Sequence, residues 1–310
     1  MDLNQTIICV LGPTAGGKTS FAARLAQRVD AEIISADSRQ VYRKMDIGTG
    51  KDLSDYSIDG VNIPYHLIDI VEPGYEYNVY EFQRDFFTAF NNIIDRNKIP
   101  ILCGGTGLYI ESVLNSYKLI NVPLNQNLRD SLLKKSLEEL AEILKSYKTL
   151  HNHTDTIHLK RLIRAIEIEE FYKHNPNHDA TFPDLDYLIF GIRYDRQSQR
   201  NRITERLDYR LKNGMIEEIK MLLESGVDAE KLIFYGLEYK FLTWYVTGRI
   251  DYNTMFQKLN ISIHQFAKRQ MTWFRKMERN GFIINWLDGH SDMEEKLERS
   301  LKIITSHKAT

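Results

Sequence analysis

Residues 12–19, "GPTAGGKT", follow a short apolar run, "IICVL", and lead into a helix-forming stretch. Their spacing fits the phosphate-binding loop G-x-x-x-x-G-K-[ST], in which backbone N–H groups and the following helix form an anion site. The lysine neutralises charge and the threonine hydroxyl can reach Mg²⁺. Such loops usually bind a nucleoside triphosphate, but the motif alone leaves the phosphate compound open. The predicted phosphate-binding residues are Gly12, Pro13, Thr14, Ala15, Gly16, Gly17, Lys18 and Thr19.

Short apolar runs rich in Ile, Val and Cys recur at 6–11, 32–36, 99–103, 187–194 and 281–287. Each of the first three is followed by a helical pattern or a Gly-rich turn, and strands that alternate with helices favour a parallel sheet. We therefore predict an α/β fold, a P-loop-type parallel sheet flanked by helices.

A long segment with a helical pattern interrupts these apolar runs. From about Arg129 to Lys173 the pattern is helical, with Leu133, Leu137, Leu140 and Leu144 at helical spacing. Residues 173–186, rich in Pro, Asn and Asp, are typical of a loop. We expect an α/β core from residues 1–118 and 187–310, and a small all-helical insertion at 119–186.

The composition excludes several classes of protein. With 310 residues, 43% hydrophobic and 27% charged, the chain is typical of a globular protein. No run approaches the roughly 18 apolar residues of a membrane span, and no basic region precedes the first apolar stretch. The two cysteines, Cys9 and Cys103, lie in apolar runs, so a disulfide framework is not expected. We predict a cytoplasmic protein with no membrane partner.

Two further segments carry candidate chemistry. Asp37 follows the second apolar run, at the strand end where open α/β sheets bind ligands. It could bind Mg²⁺, cap a helix that starts at Ser38, or act as a general base. The third run ends in "GGTGLY", 104–109, where Thr106 could offer its hydroxyl to a substrate or simply belong to a turn. No acidic residue stands at the end of that run, the position where phosphoryl-transfer enzymes usually carry an Mg²⁺-binding aspartate.

Three basic stretches, at 160–167, 193–212 and 268–279, accompany the phosphate loop. Arg202, Arg206 and Arg210 recur every four residues and would share one helical face. One such stretch is most often a solvated helix face. Three in a chain of net charge −1 favour a surface for a polyanion. In the helical segment 261–279, which contains the last stretch, Ile263, Phe266, Ala267, Gln270, Phe274 and Met277 would line one face, and Lys268, Arg275 and Arg279 another.

Taken together the motifs resemble the tRNA dimethylallyltransferases, also called tRNA isopentenyl transferases. The resemblance covers nearly the whole chain and rests on "GPTAGGKT" at 12–19, "DSRQVY" at 37–42, "DIGTGK" at 46–51, "YHLIDIVEP" at 65–73, "GGTGLY" at 104–109, "RLIRAIE" at 161–167 and "FAKRQMTWFR" at 266–275. The chain departs from the family pattern at Gly50 and Asp52, where the family more often has Ala and Pro. It also departs at Tyr65, where a histidine is frequent, and at His158, where an aspartate is common.

The resemblance implies that the loop holds the pyrophosphate of dimethylallyl diphosphate rather than ATP. Asp37 would take a proton from the exocyclic amine of the adenosine 3′ of the anticodon, in tRNAs that read codons beginning with U. Lys18 and Mg²⁺ near Thr19 would stabilise the leaving pyrophosphate, and Thr106 would bind the target nucleotide. The catalytic residues would be Asp37, Thr106 and Lys18. The residues expected to contact the tRNA anticodon stem-loop are Asp37, Ser38, Arg39, Gln40, Thr106, Arg161, Arg164, Arg202, Arg206, Lys268 and Arg269.

Three other functions remain open at this point. A P-loop kinase of a nucleoside or small metabolite would consume ATP. A relative that prenylates free adenine nucleotides would have little use for a helical insertion and several basic helices. A non-catalytic RNA-binding module would not need Lys18, Thr19 and Asp37 together. No stripe suited to a dimer interface stands out, so we expect a monomer.

Overall fold

The computed structural model describes residues 6–147, 158–175 and 183–308. The chain divides into two compact units, Met1–Tyr117 with Asp184–Thr310, and Lys118–Pro183. The sequence places these boundaries at 118/119 and 186/187. Part of the predicted helical stretch, 148–157, and half of the predicted loop, 176–182, lie outside the described residues.

The first unit is built on a six-stranded sheet with the order β5–β2–β6–β1–β7–β8. All of its strand pairs are parallel, as the α/β pattern predicts. The two remaining strands, β3 and β4, form a small antiparallel pair. The strands are β1 Thr6–Leu11, β2 Ala31–Ser35, β3 Ser57–Ile58, β4 Val61–Asn62, β5 Tyr65–His66, β6 Ile99–Gly104, β7 Asp186–Arg193 and β8 Ile284–Asp288.

The strands form where the apolar runs lie because a parallel sheet is covered on both faces. Every residue of β1, β2 and β6 is buried, so these strands are continuous apolar runs rather than alternating ones. Cys9 and Cys103 are buried and unpaired within them, which agrees with the expectation that the chain has no disulfide framework.

Helices cover the sheet and form a second core beside it. That second cluster joins Val41, Tyr42 and Met45, from the loop after β2, to the helices of the C-terminal third. The helices are α1 Lys18–Val29, α2 Val79–Asp95, α3 Gly107–Leu114, α4 Gln126–Leu132, α5 Leu137–Tyr147, α6 Leu159–His174, α7 Arg196–Lys212, α8 Met215–Glu224, α9 Ala229–Phe234, α10 Leu237–Val246, α11 Tyr252–Arg279 and α12 Met293–Lys308. None of the described helices is both long and apolar enough to cross a bilayer.

The described elements of the second unit are the helices α4, α5 and α6, but the leucine pattern does not form one continuous face. Helix α4 ends at Leu132, and a new helix begins after Ser136, which forms a reciprocal capping pair with Glu139. Leu140 and Leu144 are fully buried, whereas Leu133 is 56% exposed. The break at the cap changes the register, so the four leucines do not share one face.

Candidate functional site

The carboxyl ends of β1, β2 and β6 lie side by side and open into a cavity of about 380 Å³. The cavity brings together three segments far apart in the sequence: residues 14–19, residues 37–40 and residues 103–106. These are the phosphate loop, the start of "DSRQVY" and the "GGTG" turn. The sequence predicts each segment separately, and the parallel order of the strands assembles them at one edge.

The phosphate loop has the backbone needed to bind an anion. Gly17 immediately precedes α1 with a φ of 74°, and Gly12 has a φ of 154° with no room for a Cβ, which would lie 2.5 Å from the carbonyl oxygen of Ile192. No side chain caps the first turn of α1, so its N–H groups can face a ligand. The Lys18 ammonium donates to the carbonyl of Pro13 at 2.8 Å and lines the cavity.

Helix α7 holds the outer side of this loop. Gln199 donates to the carbonyl of Thr14 at 2.6 Å, and Arg202 donates to the carbonyl of Ala15 at 3.0 Å. Arg206 donates to the hydroxyl of Thr14, is half-buried and lines the cavity. Arg206 and Arg210 on this basic face therefore line the cavity, whereas Arg202 remains exposed. A partly buried guanidinium needs an anionic or carbonyl partner.

Asp37 and Thr106 meet across adjacent strand ends. The Thr106 hydroxyl accepts the N–H of Ser38 at 3.2 Å, and the Thr106 N–H donates to the carbonyl of Ala36. The carboxylate of Asp37 accepts the N–H of Arg39 at 2.8 Å, and no helix starts at Ser38. Asp37 is thus not a helix cap. It lines the cavity with Ser38, Arg39 and Gln40.

The glycines of the "GGTG" turn lie so close to neighbouring atoms that a side chain would have no room. A Cβ on Gly104 would lie 2.3 Å from the carbonyl oxygen of Ala36, and one on Gly107 would lie 2.3 Å from the ring of Trp273. Gly105 faces Gln270, whose amide donates to the Gly105 carbonyl at 2.9 Å and accepts the Thr14 N–H at 2.8 Å. Gln270 therefore joins this turn to the phosphate loop, a role that its place on a helix face did not indicate.

A loop at residues 46–52 forms another wall of the cavity. Gln40 donates to the carbonyl of Gly50 at 3.0 Å and accepts from Ser35, so both ends of its amide are engaged inside the protein. Arg210 is buried and forms a two-point ion pair with Asp52 at 2.7 and 3.0 Å. Two of the four departures from the family pattern, Gly50 and Asp52, both lie against Arg210, since a Cβ on Gly50 would lie 3.0 Å from its guanidinium.

Two buried charges anchor that loop. The carboxylate of Glu218 accepts the N–H groups of Asp46, Ile47 and Gly48 and the hydroxyl of Tyr239. The Lys51 ammonium is fully buried between the carbonyl of Tyr42 and the carboxylates of Asp46 and Asp69. Asp69 therefore pairs with Lys51.

His66 has a different partner. The Nε2 atom of its ring lies 2.7 Å from a carboxylate oxygen of Glu32. This histidine, three residues before Asp69, therefore has a structural contact away from the cavity.

The electrostatics of the cavity favour an anion. Burial lowers the pKa of Lys18 to about 8; Cys103 and Asp37 act to raise this pKa, and Arg206 acts to lower it. Burial and the neighbouring Arg210 lower the pKa of Arg206 to about 10. A bound polyanion would stabilise both charged forms, because an opposite charge nearby favours ionisation. Burial raises the pKa of Glu238, which lines the same cavity.

The other predicted RNA contacts lie elsewhere. Lys268 and Arg269 are exposed on α11. In the second unit Arg161 is exposed, but the guanidinium of Arg164 pairs with the buried Glu167 and donates to the carbonyl of Val122 at 2.8 Å. Arg164 is thus held inside its unit, and an RNA contact for it stays a prediction, as it does for the other residues named above.

Among the residues that the structure describes, no three His, Cys, Asp or Glu side chains are grouped so as to hold an ion. Thr19 lines the cavity beside Lys18, together with the carboxylates of Asp37, Asp52 and Asp55.

Protein-family comparison gives two matches. A family model described as IPP transferase matches residues 40–277, and one described as isopentenyl transferase matches residues 5–65. The chain is 58% identical to tRNA dimethylallyltransferase 2 of Phocaeicola vulgatus over 298 residues, 96% of this chain and 97% of that protein. It is 60% identical to tRNA dimethylallyltransferase 2 of Bacteroides fragilis over 291 residues, 94% and 95% of the two chains.

Solved structures have the same fold. The crystal structure of the tRNA isopentenylpyrophosphate transferase of Bacillus halodurans matches with a TM-score of 0.71 and 30% identity, over 97% of this chain and 96% of that one. A eukaryotic dimethylallyltransferase acting on tRNA matches with a TM-score of 0.78, over 97% of this chain and 80% of that one. The second likeness, at 22% identity, is one of fold.

Proposed function

This chain belongs to the IPP transferase family, and on that premise we propose that it is a tRNA dimethylallyltransferase. It transfers the dimethylallyl group of dimethylallyl diphosphate to the exocyclic amine of an adenosine in tRNA and releases diphosphate. The acceptor that we propose is the adenosine 3′-adjacent to the anticodon, in tRNAs reading codons that begin with U.

One observation carries the assignment of roles. The cavity that contains the phosphate loop also contains Asp37 and Thr106, on the ends of neighbouring strands. A diphosphate on the loop and an amine beside Asp37 would therefore share one enclosed space. The strand β6 runs into Gly105 and Thr106 without an acid, which supports a phosphate leaving group rather than a transferred phosphoryl group.

The reaction is then a substitution at the allylic carbon. The amine nitrogen attacks that carbon while its bond to the diphosphate oxygen breaks, and the electron pair leaves with diphosphate. Asp37 takes the proton that the nitrogen loses, and Thr106 positions the nucleotide. Lys18, Arg206 and the N–H groups of residues 17–19, at the start of α1, stabilise the charge on the leaving diphosphate.

We propose that Mg²⁺ accompanies the diphosphate. Mg²⁺ is usually bound by one or two protein oxygens together with substrate phosphates and water, and the oxygens that line the cavity fit that pattern. The Thr19 hydroxyl would be its protein ligand, next to Lys18. When bound, the ion supplies further positive charge against the leaving diphosphate.

The acceptor base must leave its stack to enter the cavity. Lys268 and Arg269 on α11, and Arg161 on α6, are exposed cations available to RNA phosphates. We propose that these residues, with Ser38 and Arg39 near the acceptor, bind the anticodon stem-loop. We further propose that the protein acts as a monomer, and in the cytoplasm because tRNA is its substrate.

The test is a transfer assay. Purified protein is mixed with Mg²⁺, labelled dimethylallyl diphosphate and unmodified tRNA, with AMP and ATP as parallel acceptors. We expect label in tRNA alone. Asp37→Asn should lower kcat by about 100-fold or more, the scale of a lost general base, with little change in either KM.

Asp95→Asn is the matched control, because Asp95 is exposed at the end of α2 and away from the cavity. It should retain wild-type turnover. Label on AMP or ATP would contradict tRNA as the acceptor, and ATP turnover without transfer would contradict the reaction. Near-wild-type turnover in Asp37→Asn would remove Asp37 from the mechanism.

A further inference from the structure

Phe266 differs from its neighbours on α11. The spacing of the helix places it on one face with Ile263, Ala267 and Phe274, which are 5% exposed or less. Phe266 instead keeps 38% of its surface exposed and lines the cavity. A large aromatic ring is therefore placed where the cavity meets solvent, and the fold does not cover it.

The position of the ring is set by Gln270, one helical turn further on. Gln270 is bound to both the phosphate loop and the "GGTG" turn, so α11 is fixed in register against both. Residues four apart on a helix lie next to one another, which brings Phe266 to the same side of α11 as these two loops. The ring and the side chains of Asp37 and Thr106 line one cavity.

A cation lies beside the ring. The Arg269 guanidinium is 6.0 Å from the centroid of the Phe266 ring and is exposed. An exposed aromatic ring with a neighbouring arginine is the pair that proteins use for unpaired nucleotides, the ring for the base and the cation for base or phosphate. A base that has left its stack has lost the stacking energy of both of its faces. A protein ring that covers one face recovers part of this stacking energy.

We infer that Phe266 stacks on the adenine of the acceptor nucleotide and so helps to hold the flipped base beside Asp37. The inference rests on the proposed function and adds a residue that contacts the acceptor. The phosphate loop accounts for the diphosphate, and Phe266 accounts for the base.

The test is a double-mutant cycle between the ring and the base. Two anticodon stem-loop RNAs are compared, one with the acceptor adenosine and one with an abasic nucleotide in its place. Their Kd values are measured for the wild-type protein and for Phe266→Ala, without dimethylallyl diphosphate. We expect Phe266→Ala to weaken binding of the adenosine RNA by roughly 5- to 150-fold, the range of one base–aromatic stack. Binding of the abasic RNA should change less than twofold.

Conservative variants separate stacking from simple packing. Phe266→Tyr should restore binding and kcat/KM for tRNA, whereas Phe266→Leu, apolar but without a ring, should not. The KM for dimethylallyl diphosphate should stay within twofold in all three variants. Phe234→Ala, which removes a 57% exposed ring that does not line the cavity, is the matched control and should match the wild type.

Two results would overturn the inference. An equal loss for both RNAs would mean that the ring contacts another part of the RNA. A rise in the KM for dimethylallyl diphosphate, rescued by Phe266→Leu, would mean that the ring packs against the prenyl group. A failure of the proposed function is distinct from both, since the wild-type protein would then neither bind the stem-loop nor modify it.

Discussion

Arg206 offers the sharpest test of how the site is built. From its spacing it belongs to a basic face for tRNA, but in the structure it is half-buried against Thr14 and lines the phosphate cavity. We therefore expect Arg206→Gln to weaken binding of the diphosphate and to leave tRNA affinity almost unchanged.

The size of the effect follows from the geometry. A hydrogen bond to a charged group is worth about 1.5–3 kcal/mol, which corresponds to roughly a 10- to 150-fold change in affinity. Burial lowers the pKa of Arg206 only to about 10, so its full charge is present at neutral pH. Arg206→Lys keeps a charge but loses the planar fork, and an intermediate loss is expected.

The assay measures inhibition by inorganic diphosphate and the KM for dimethylallyl diphosphate, alongside the Kd of tRNA over a range of salt. Arg200→Gln is the matched control, since Arg200 is exposed on the same helix. Thr14→Val removes only the hydroxyl partner, and it should cost less than Arg206→Gln if the guanidinium contacts the diphosphate directly. Unchanged diphosphate binding, with weaker tRNA binding and a salt slope reduced by about one unit, would refute this reasoning.

Two other predictions concern pH and stability. Burial lowers the pKa of Lys18 to about 8, and a bound anion favours the charged form, so the Kd of diphosphate should rise above pH 8. In Lys18→Arg this rise should disappear. A Kd that does not change with pH in the wild type would contradict a contact between the Lys18 ammonium and the diphosphate. Glu167 accepts from Arg129, Arg164 and the Asn125 N–H; these bonds outweigh the burial that raises its pKa and lower it to about 2. Glu167→Gln should therefore lower the free energy of unfolding, measured by urea titration, by about 3–5 kcal/mol, the scale for a broken buried ion pair. The control is Glu142→Gln, at an exposed residue, which should lower it by less than about 1 kcal/mol. The contribution of Glu167 should be complete above pH 4.5 and be lost as the pH falls towards 2; equal losses in the two variants would argue against the buried pair.

Much of the sheet could be predicted because its signals are local. Strands β1, β2, β6 and β7 follow the predicted runs to within a residue at either end, and β8 begins three residues late. A fully buried strand has to be apolar throughout, so the run itself marks the strand. The turn at Gly17 and the helix that begins at Lys18 were equally predictable, because contiguous residues form both; phosphate binding by them stays a prediction.

The partners of the side chains could not be predicted in the same way. Spacing shows which residues share a helix face but not what that face meets, and so it could not show that Arg206 contacts Thr14 or that Phe266 lines the cavity. Much of that cavity is formed by segments from the other end of the chain, and their approach is not encoded near either residue.

The sequence by itself thus determined the strands, the phosphate loop and the family, because each is carried by a contiguous or nearly contiguous pattern. Only the tertiary structure decided how the site is closed. Gln270 reaches Thr14 across 256 residues and Gly105 across 165, and α7 reaches the same loop across 185 to 192. Contacts of this range depend on how helices pack over the sheet, which is a property of the whole core rather than of any one segment.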